Sequence, residues 1–302
     1  MAEISPFDDT RPIPVRRFVE EALPPPAPVH RRRSPLRLAA LLAVLLVVGW
    51  MAALLSGRTN VLLLGIDRTP AGSAVGRSDS MILTTFVPAQ GYVGMLSIPR
   101  DLWLPIPGVG ENRVNTAHFF GEAAQEGGGP AAAVDAVSVN FGISLEYYIR
   151  VQFDAFRSLV DALGGVPLVL EEPAGGLSAG EHLLNGEEAL AFIRSRAGSD
   201  DFFRMAHGQL FLRALVRRAI SPVSWPRIPV AAAVLFQGVD TNLPLWRWPA
   251  LAWSVLITGP NGIDGRVIDR TMVQGFTTGD GAQVLAPDWS QINPVLLDMF
   301  GE

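Results

Sequence analysis

The first apolar block in this chain is an unbroken run from residue 38 to residue 55. At about 1.5 Å per residue, a helix of that length crosses most of a hydrocarbon layer of roughly 30 Å. Arg11, Arg16, Arg17, Arg31, Arg32, Arg33 and Arg37 precede it, and only Arg58 follows closely. That imbalance places the N-terminus in the cytoplasm and the rest of the chain outside. Trp50 sits near the far end of the run, where an aromatic belt would lie. The long arginine-bearing stretch ahead of the run, and Ala52-Ala53 inside it, favour an uncleaved membrane anchor at 38–56 over a cleaved signal peptide. Residues 1–37, with Pro24-Pro25-Pro26 and no apolar period, are expected to be a disordered cytoplasmic tail.

Beyond residue 60 the period changes repeatedly between strand and helix. Residues 61–66, 80–87 and 92–98 are apolar runs of strand length, the last two separated by turn residues at 88–91. An alanine-rich helix is expected at 130–139, a strand at 147–153, a helix at 155–163 closed by Gly164-Gly165, and a strand at 166–170. Asn185 can cap a helix running to Ile193, with Glu188 completing a capping box, and a second helix spans 201–220. Residues 225–258 mix prolines and tryptophans with apolar stretches, and 264–275 holds one more strand. The alternation predicts an α/β fold: a three-layer α/β/α domain with a central mixed sheet, its core at 60–222 and residues 223–302 packing on it.

Composition narrows the chemistry. With 49% hydrophobic residues there is ample material for a core, and the net charge of −5 argues against nucleic acid as a partner. The absence of cysteine removes disulfides, thiol nucleophiles and cysteine-bound zinc. His30, His118, His182 and His207 lack metal-ligand spacing. Gly176-Leu177-Ser178-Ala179-Gly180 matches a serine-hydrolase elbow in letters, but no strand runs into its serine.

Charged residues gather where strands and helices end. Asp67 terminates the first strand, Arg77 and Asp79 open the second, and Arg100-Asp101 follow the third. Arg194 and Arg196 close the Asn185 helix, and Asp201 and Arg204 open the next. Ends of neighbouring strands meet at one sheet edge, where α/β proteins place ligands. Arginines with two carboxylates suit a pyrophosphate and Mg²⁺, because guanidiniums grip phosphate oxygens and hard carboxylate oxygens hold the metal.

At these residues the chain resembles the LytR-CpsA-Psr family of wall-polymer ligases. The resemblance covers roughly residues 60–215. Its most specific blocks are Ser97-Ile98-Pro99-Arg100-Asp101, and Arg194-Ser195-Arg196 followed by Asp201-Phe202-Phe203-Arg204. It implies a hydrophobic tunnel for a polyprenyl tail and Mg²⁺ at the pyrophosphate. Asp67 and Asp79 match the family's acidic residues near metal and pyrophosphate, and Arg77 is expected to bind the pyrophosphate. Arg100, Arg194, Arg196 and Arg204 match its phosphate-binding arginines. The family usually follows its last arginine with a basic residue and two glutamines; here Met205-Ala206-His207-Gly208-Gln209 puts Gly208 at one of those positions and leaves Gln209 as the remaining polar contact. The implied activity is transfer of a phosphorylated glycan from a polyprenyl-pyrophosphate carrier to peptidoglycan, at the outer face of the cell membrane. Hydrolysis of the carrier, or lipid binding without turnover in a regulatory role, are the other readings.

Overall fold

The computed structural model describes residues 35–55, 57–66, 78–195 and 200–301. The expected tail lies almost wholly outside the described residues. The chain divides into two units, 1–47 and 48–302. Helix α1 (Pro35–Leu55) is built of leucine, valine and alanine, with no charge after Arg37. Among the described residues no single helix is long and apolar enough to cross a membrane; the apolar stretch of α1 so described is Ala39–Gly49.

After α1 come β1 (Thr59–Ile66), β2 (Ser78–Val87) and β3 (Tyr92–Ile98). A hairpin of β4 (Trp103–Ile106) and β5 (Gly110–Arg113) leads to α2 (Thr116–Ala124) and α3 (Gly129–Phe141). Then come β6 (Tyr147–Gln152), α4 (Phe153–Ala162), a second hairpin of β7 (Val166–Leu170) and β8 (Gly180–Leu184), α5 (Gly186–Arg194) and α6 (Asp201–Ile220). The remainder is α7 (Ile228–Gly238), β9 (Val239–Thr241), α8 (Trp248–Gly262), β10 (Asp264–Val267), β11 (Val273–Thr277), β12 (Gln283–Pro287) and α9 (Trp289–Phe300).

Six strands form the central sheet in the order β10-β3-β2-β1-β6-β9. It is mixed: β1 runs antiparallel to β2 and parallel to β6, and β3 runs antiparallel to β2 and parallel to β10. The unbroken apolar runs of β1 to β3 follow from burial of both sheet faces, since successive side chains point to opposite sides. Leu62, Leu64, Leu83 and Leu96 face a core shared with Val137 of α3 and Leu296 and Phe300 of α9. Val61, Leu63, Ile82 and Val93 face a second core shared with Leu212 of α6 and Leu251 of α8. Helices therefore cover both faces.

Several boundaries differ from expectation. Phe153 begins α4 rather than ending a strand, because the chain turns into the helix directly after Gln152. The single strand expected at 264–275 is two, β10 in the main sheet and β11 in a separate hairpin with β12, divided by a turn where Met272 N bonds to Asp269 O at 3.1 Å. The strand expected at 166–170 is β7, but the apolar pattern does not signal its partner β8 or the whole β4/β5 hairpin. The capping box is present as expected: Glu188 N donates to Asn185 Oδ1 and Asn185 N to Glu188 Oε2, both at 2.9 Å. Ser178 lies in the β7–β8 connection, and it is its backbone carbonyl that faces His182 Nε2 at 2.8 Å.

Candidate active site

The carboxyl end of β1, the start of β2 and the end of β3 meet at one edge of the sheet. The β1–β2 register slips there: Gly65 pairs with Ser80, but Ile66 pairs with Ser78. Asp79 is the extra residue of this bulge. A bulge re-aims the side chain it carries, and Asp79 lies among the residues around an apolar cavity. Gly65 makes room, since a Cβ there would stand 3.2 Å from that of Ser80.

Arg100 is set by a tight turn after Pro99, closed by Leu102 N bonding to Pro99 O at 3.1 Å. Its Nη1 donates to Asp79 Oδ1 at 3.0 Å. Its Nε stands 3.7 Å from both Asp101 and Asp201 and is buried without a hydrogen-bond partner. Asn115 ties the two strands together here, donating from its N to Arg100 O at 3.3 Å and accepting Ser78 Oγ at 3.5 Å.

Helix α6 supplies the third side. Asp200 caps it by accepting from Phe202 N at 3.2 Å, which anchors the first turn. From that turn Arg204 reaches inward and is only 7% exposed. Asp201 grips its guanidinium at both Nε and Nη2, each at 3.0 Å, and its Nη1 donates to the backbone oxygen of Asp79 at 3.0 Å. Arg194 ends α5 at the exposed side, its guanidinium 4.9 Å above the Phe153 ring. Phe153 also lines the cavity, so Arg194 is held at the cavity wall.

Behind the charges lies a cavity of about 190 Å³ between the sheet and helices α4, α5, α6 and α7. Leu63, Ile82, Phe156, Leu212 and Leu215 are among its walls. A water occupies roughly 30 Å³ of liquid, so this is space for a hydrocarbon segment rather than a single trapped solvent molecule. Gly208 of α6 faces it, and a side chain there would meet open space.

The structure thus brings Asp79, Arg100 and Arg204 together, with Arg194 nearby. Asp67, Arg77 and Arg196 lie outside the described residues. Gln209 is not brought to the cluster: its amide nitrogen donates to Ser97 Oγ at 2.8 Å, with Met95 O and Arg266 O each at 3.4 Å, and it joins α6 to β3 and β10. Sequence reasoning also passed over Asp201 as a site residue. An acid in the first turn of a helix is ordinary, and only its fork on Arg204 distinguishes it.

A family model, the LytR_cpsA_psr family, matches residues 52–295. The chain belongs to this family. Among its relatives, regulatory protein MsrR of Staphylococcus aureus is 30% identical over 62% of this chain and 57% of its own length. The polyisoprenyl-teichoic acid–peptidoglycan teichoic acid transferase TagU of Oceanobacillus iheyensis is 35% identical over 62% of this chain and 59% of its own. The chain therefore spans less than two thirds of these curated relatives. Among solved structures, TagT bound to LIIa-WTA shares 26% identity with a TM-score of 0.64, covering 81% of this chain and 91% of the other. Bacillus subtilis TagV shares 25% at a TM-score of 0.65, covering 82% and 98%.

The metal expected beside the pyrophosphate fits the donors at hand in one respect. Among the described residues no three acidic or histidine side chains cluster as a metal cage. Mg²⁺ is commonly held by one or two carboxylates plus substrate phosphates, and Asp79 at the cavity wall is the described carboxylate that would serve such a site.

Proposed function

We propose that this protein transfers a phosphorylated glycan from a polyprenyl-pyrophosphate carrier to peptidoglycan, anchored in the cell membrane by the apolar segment 38–55. The observation that carries this reading is the convergence of Arg100, Arg204 and Asp79 at the wall of an apolar cavity. A lipid diphosphate has these two halves, a dianionic head and a hydrocarbon tail. The 35% identity to a relative named as a teichoic acid transferase supports the same reading.

In the transfer, an acceptor hydroxyl oxygen attacks the glycan-side phosphorus. A new P–O bond forms, the bond to the bridging oxygen breaks, and polyprenyl phosphate leaves. The acceptor's proton passes to a base, and Asp67 is either that base or a second metal ligand. Arg77, Arg100, Arg194, Arg196 and Arg204 bind and neutralise the phosphate oxygens. Positioning and charge stabilisation of this kind dominate phosphoryl transfer. Asp201 and Asp101 hold the arginines in place. Mg²⁺ on Asp79 would supply Lewis-acid stabilisation of the leaving oxygen.

The test is transfer of a labelled lipid-linked glycan to peptidoglycan by the full chain in detergent or vesicles. Arg100→Ala and Asp79→Asn should each lower the rate about 100-fold or more, the scale of losing one preorganised electrostatic contact. Near-parental rates in both would refute the assignment. Release of glycan phosphate at an unchanged rate without acceptor would instead favour the hydrolase.

A further inference from the structure

Helix α8 presents an apolar stripe to its surroundings. Ala250, Leu251 and Ser254 point inward and are buried, whereas Pro249, Ala252, Trp253, Leu256 and Ile257 are all exposed. These positions recur at the spacing of one helical face, which in a water-facing helix carries polar residues. Trp253 is 46% exposed, and Leu245 in the turn leading into α8 is 71% exposed beside Trp246. Helix α7 adjoins this face, as Phe236 packs against Trp248 with ring centroids 5.4 Å apart. Phe236 is itself exposed, as are Val230, Trp225 and Val223 along α7 and the turn before it. Apolar area on this scale, rich in tryptophan, marks an interaction surface.

We propose that α7 and α8 form a membrane-docking face that lies in the interface of an anionic bilayer, in addition to the proposed anchor. Three observations select a lipid surface as the occupant. The first is chemical: an apolar helix face with tryptophans and flanking arginines suits the boundary between headgroups and acyl chains. Arg247 stands over Trp246 at 4.8 Å, and Arg217 and Arg227 are exposed close by in sequence. The second is charge. Residues 205–263 carry five arginines, of which Arg217 and Arg227 are exposed, against one acidic residue, Asp240, in a chain whose net charge is −5, and an anionic leaflet attracts such a basic segment.

The third is reach along the chain. Arg247 Nη1 donates to Thr59 Oγ1 at 3.0 Å, and Thr258 Oγ1 to Gly91 O at 2.6 Å. Helix α8 is therefore fixed along the sheet edge where β1 starts. Thr59 follows Leu55, the last residue of α1, by only four residues, a contour of about 14 Å at most. A bilayer that holds residues 38–55 is therefore within reach of this face. This third argument rests on the anchor reading; the other two do not.

The chain has no cysteine, so single cysteines can carry an environment-sensitive fluorophore. Trp253→Cys and Leu256→Cys report the proposed face, Val139→Cys on α3 (69% exposed) is the water-exposed control, and Leu45→Cys reports the anchor. The full chain is placed in vesicles of phosphatidylcholine with phosphatidylglycerol, carrying lipid-borne quenchers either just below the headgroups, to read positions 253, 256 and 139, or near the bilayer midplane, to read position 45. Probes at 253 and 256 should shift to the blue and lose roughly half or more of their emission, since interfacial helices sit about 5–10 Å into the boundary. The shift should shrink without phosphatidylglycerol, and position 139 should not respond. Equal, weak quenching at 253, 256 and 139 would overturn the proposal, and if position 45 is quenched at the same time the anchor reading survives. Quenching at 253 without quenching at 45 would overturn the anchor and keep the docking face. A blue shift that grows with protein concentration and ignores the lipid quencher assigns the face to a second copy and also overturns the proposal.

Discussion

Arg204 is a buried cation whose partner is Asp201, and the pair behaves differently depending on which side is removed. Asp201→Ala would leave an uncompensated guanidinium among apolar walls, and breaking a buried pair from one side costs roughly 3–5 kcal/mol. Arg204→Met removes the charge itself and keeps volume, so it should cost markedly less stability while abolishing transfer. Denaturant midpoints of the two variants, read beside their transfer rates, check this; equal loss of stability in both would show that Arg204 is mainly structural. The residues that bring charge to the site were legible from their positions at strand and helix ends. Their orientation was not. Asp79 points to the cavity because it is the extra residue of a bulge, and a one-residue slip between β1 and β2 leaves no mark in the apolar pattern. Gln209 shows the converse, since a polar residue next to the motif is taken up by packing between α6 and the sheet.

Elements differ in how strongly the chain announces them. β1, β2 and β3 are buried on both faces and therefore read as apolar runs, and α5 carries both halves of its capping box. Asn185→Ala should lower stability by about 1 kcal/mol, seen as a lower thermal midpoint with transfer retained. Strands β5 and β8 are mostly exposed and too short to display a period, which is why their hairpins escaped the pattern. Helix α6 keeps an internal Gly208 with open space beside it, so Gly208→Ala should raise stability by roughly 1 kcal/mol through helix propensity alone. At the edge of the sheet, β10 is held through Asp264, whose carboxylate is bonded by Arg266 at 2.7 Å and by Tyr92 Oη at 3.0 Å. The bond from Arg266 holds the Asp264 carboxyl below its ordinary range, although burial opposes it. A depressed carboxylate stabilises the fold above its unfolded pKa, and that contribution is lost as pH falls through the folded value. Burial likewise lowers the His207 pKa, so its neutral form adds stability that fades as pH drops below the ordinary histidine range. Stability should therefore decline on acidification, and Asp264→Asn should flatten the lower part of that decline; an unchanged slope would remove Asp264 from the account.

At the scale of the molecule, the charged cluster and the proposed docking face sit at opposite edges of the central sheet, one at the end of β1 and the other at its start. The eight residues of β1 separate them by about 25 Å at strand rise. A diphosphate drawn from a bilayer can span that distance only with its own hydrocarbon tail, and the cavity walled by β1, α4 and α6 offers that tail a dry path for part of the way. Each methylene buried there contributes about 0.8 kcal/mol, so binding should depend on chain length. Gly208→Trp adds an indole at the cavity wall, where a Cβ meets open space. It should weaken binding of a long-chain donor at least about tenfold, because filling the space forfeits several buried methylenes, while a short-chain, water-soluble diphosphate donor keeps most of its rate. Comparing KM and kcat for the two donors separates tail binding from damage to the charged cluster. Loss of activity on both donors would mean that the indole disturbs the head-binding residues, and retention of both would show that the tail runs elsewhere.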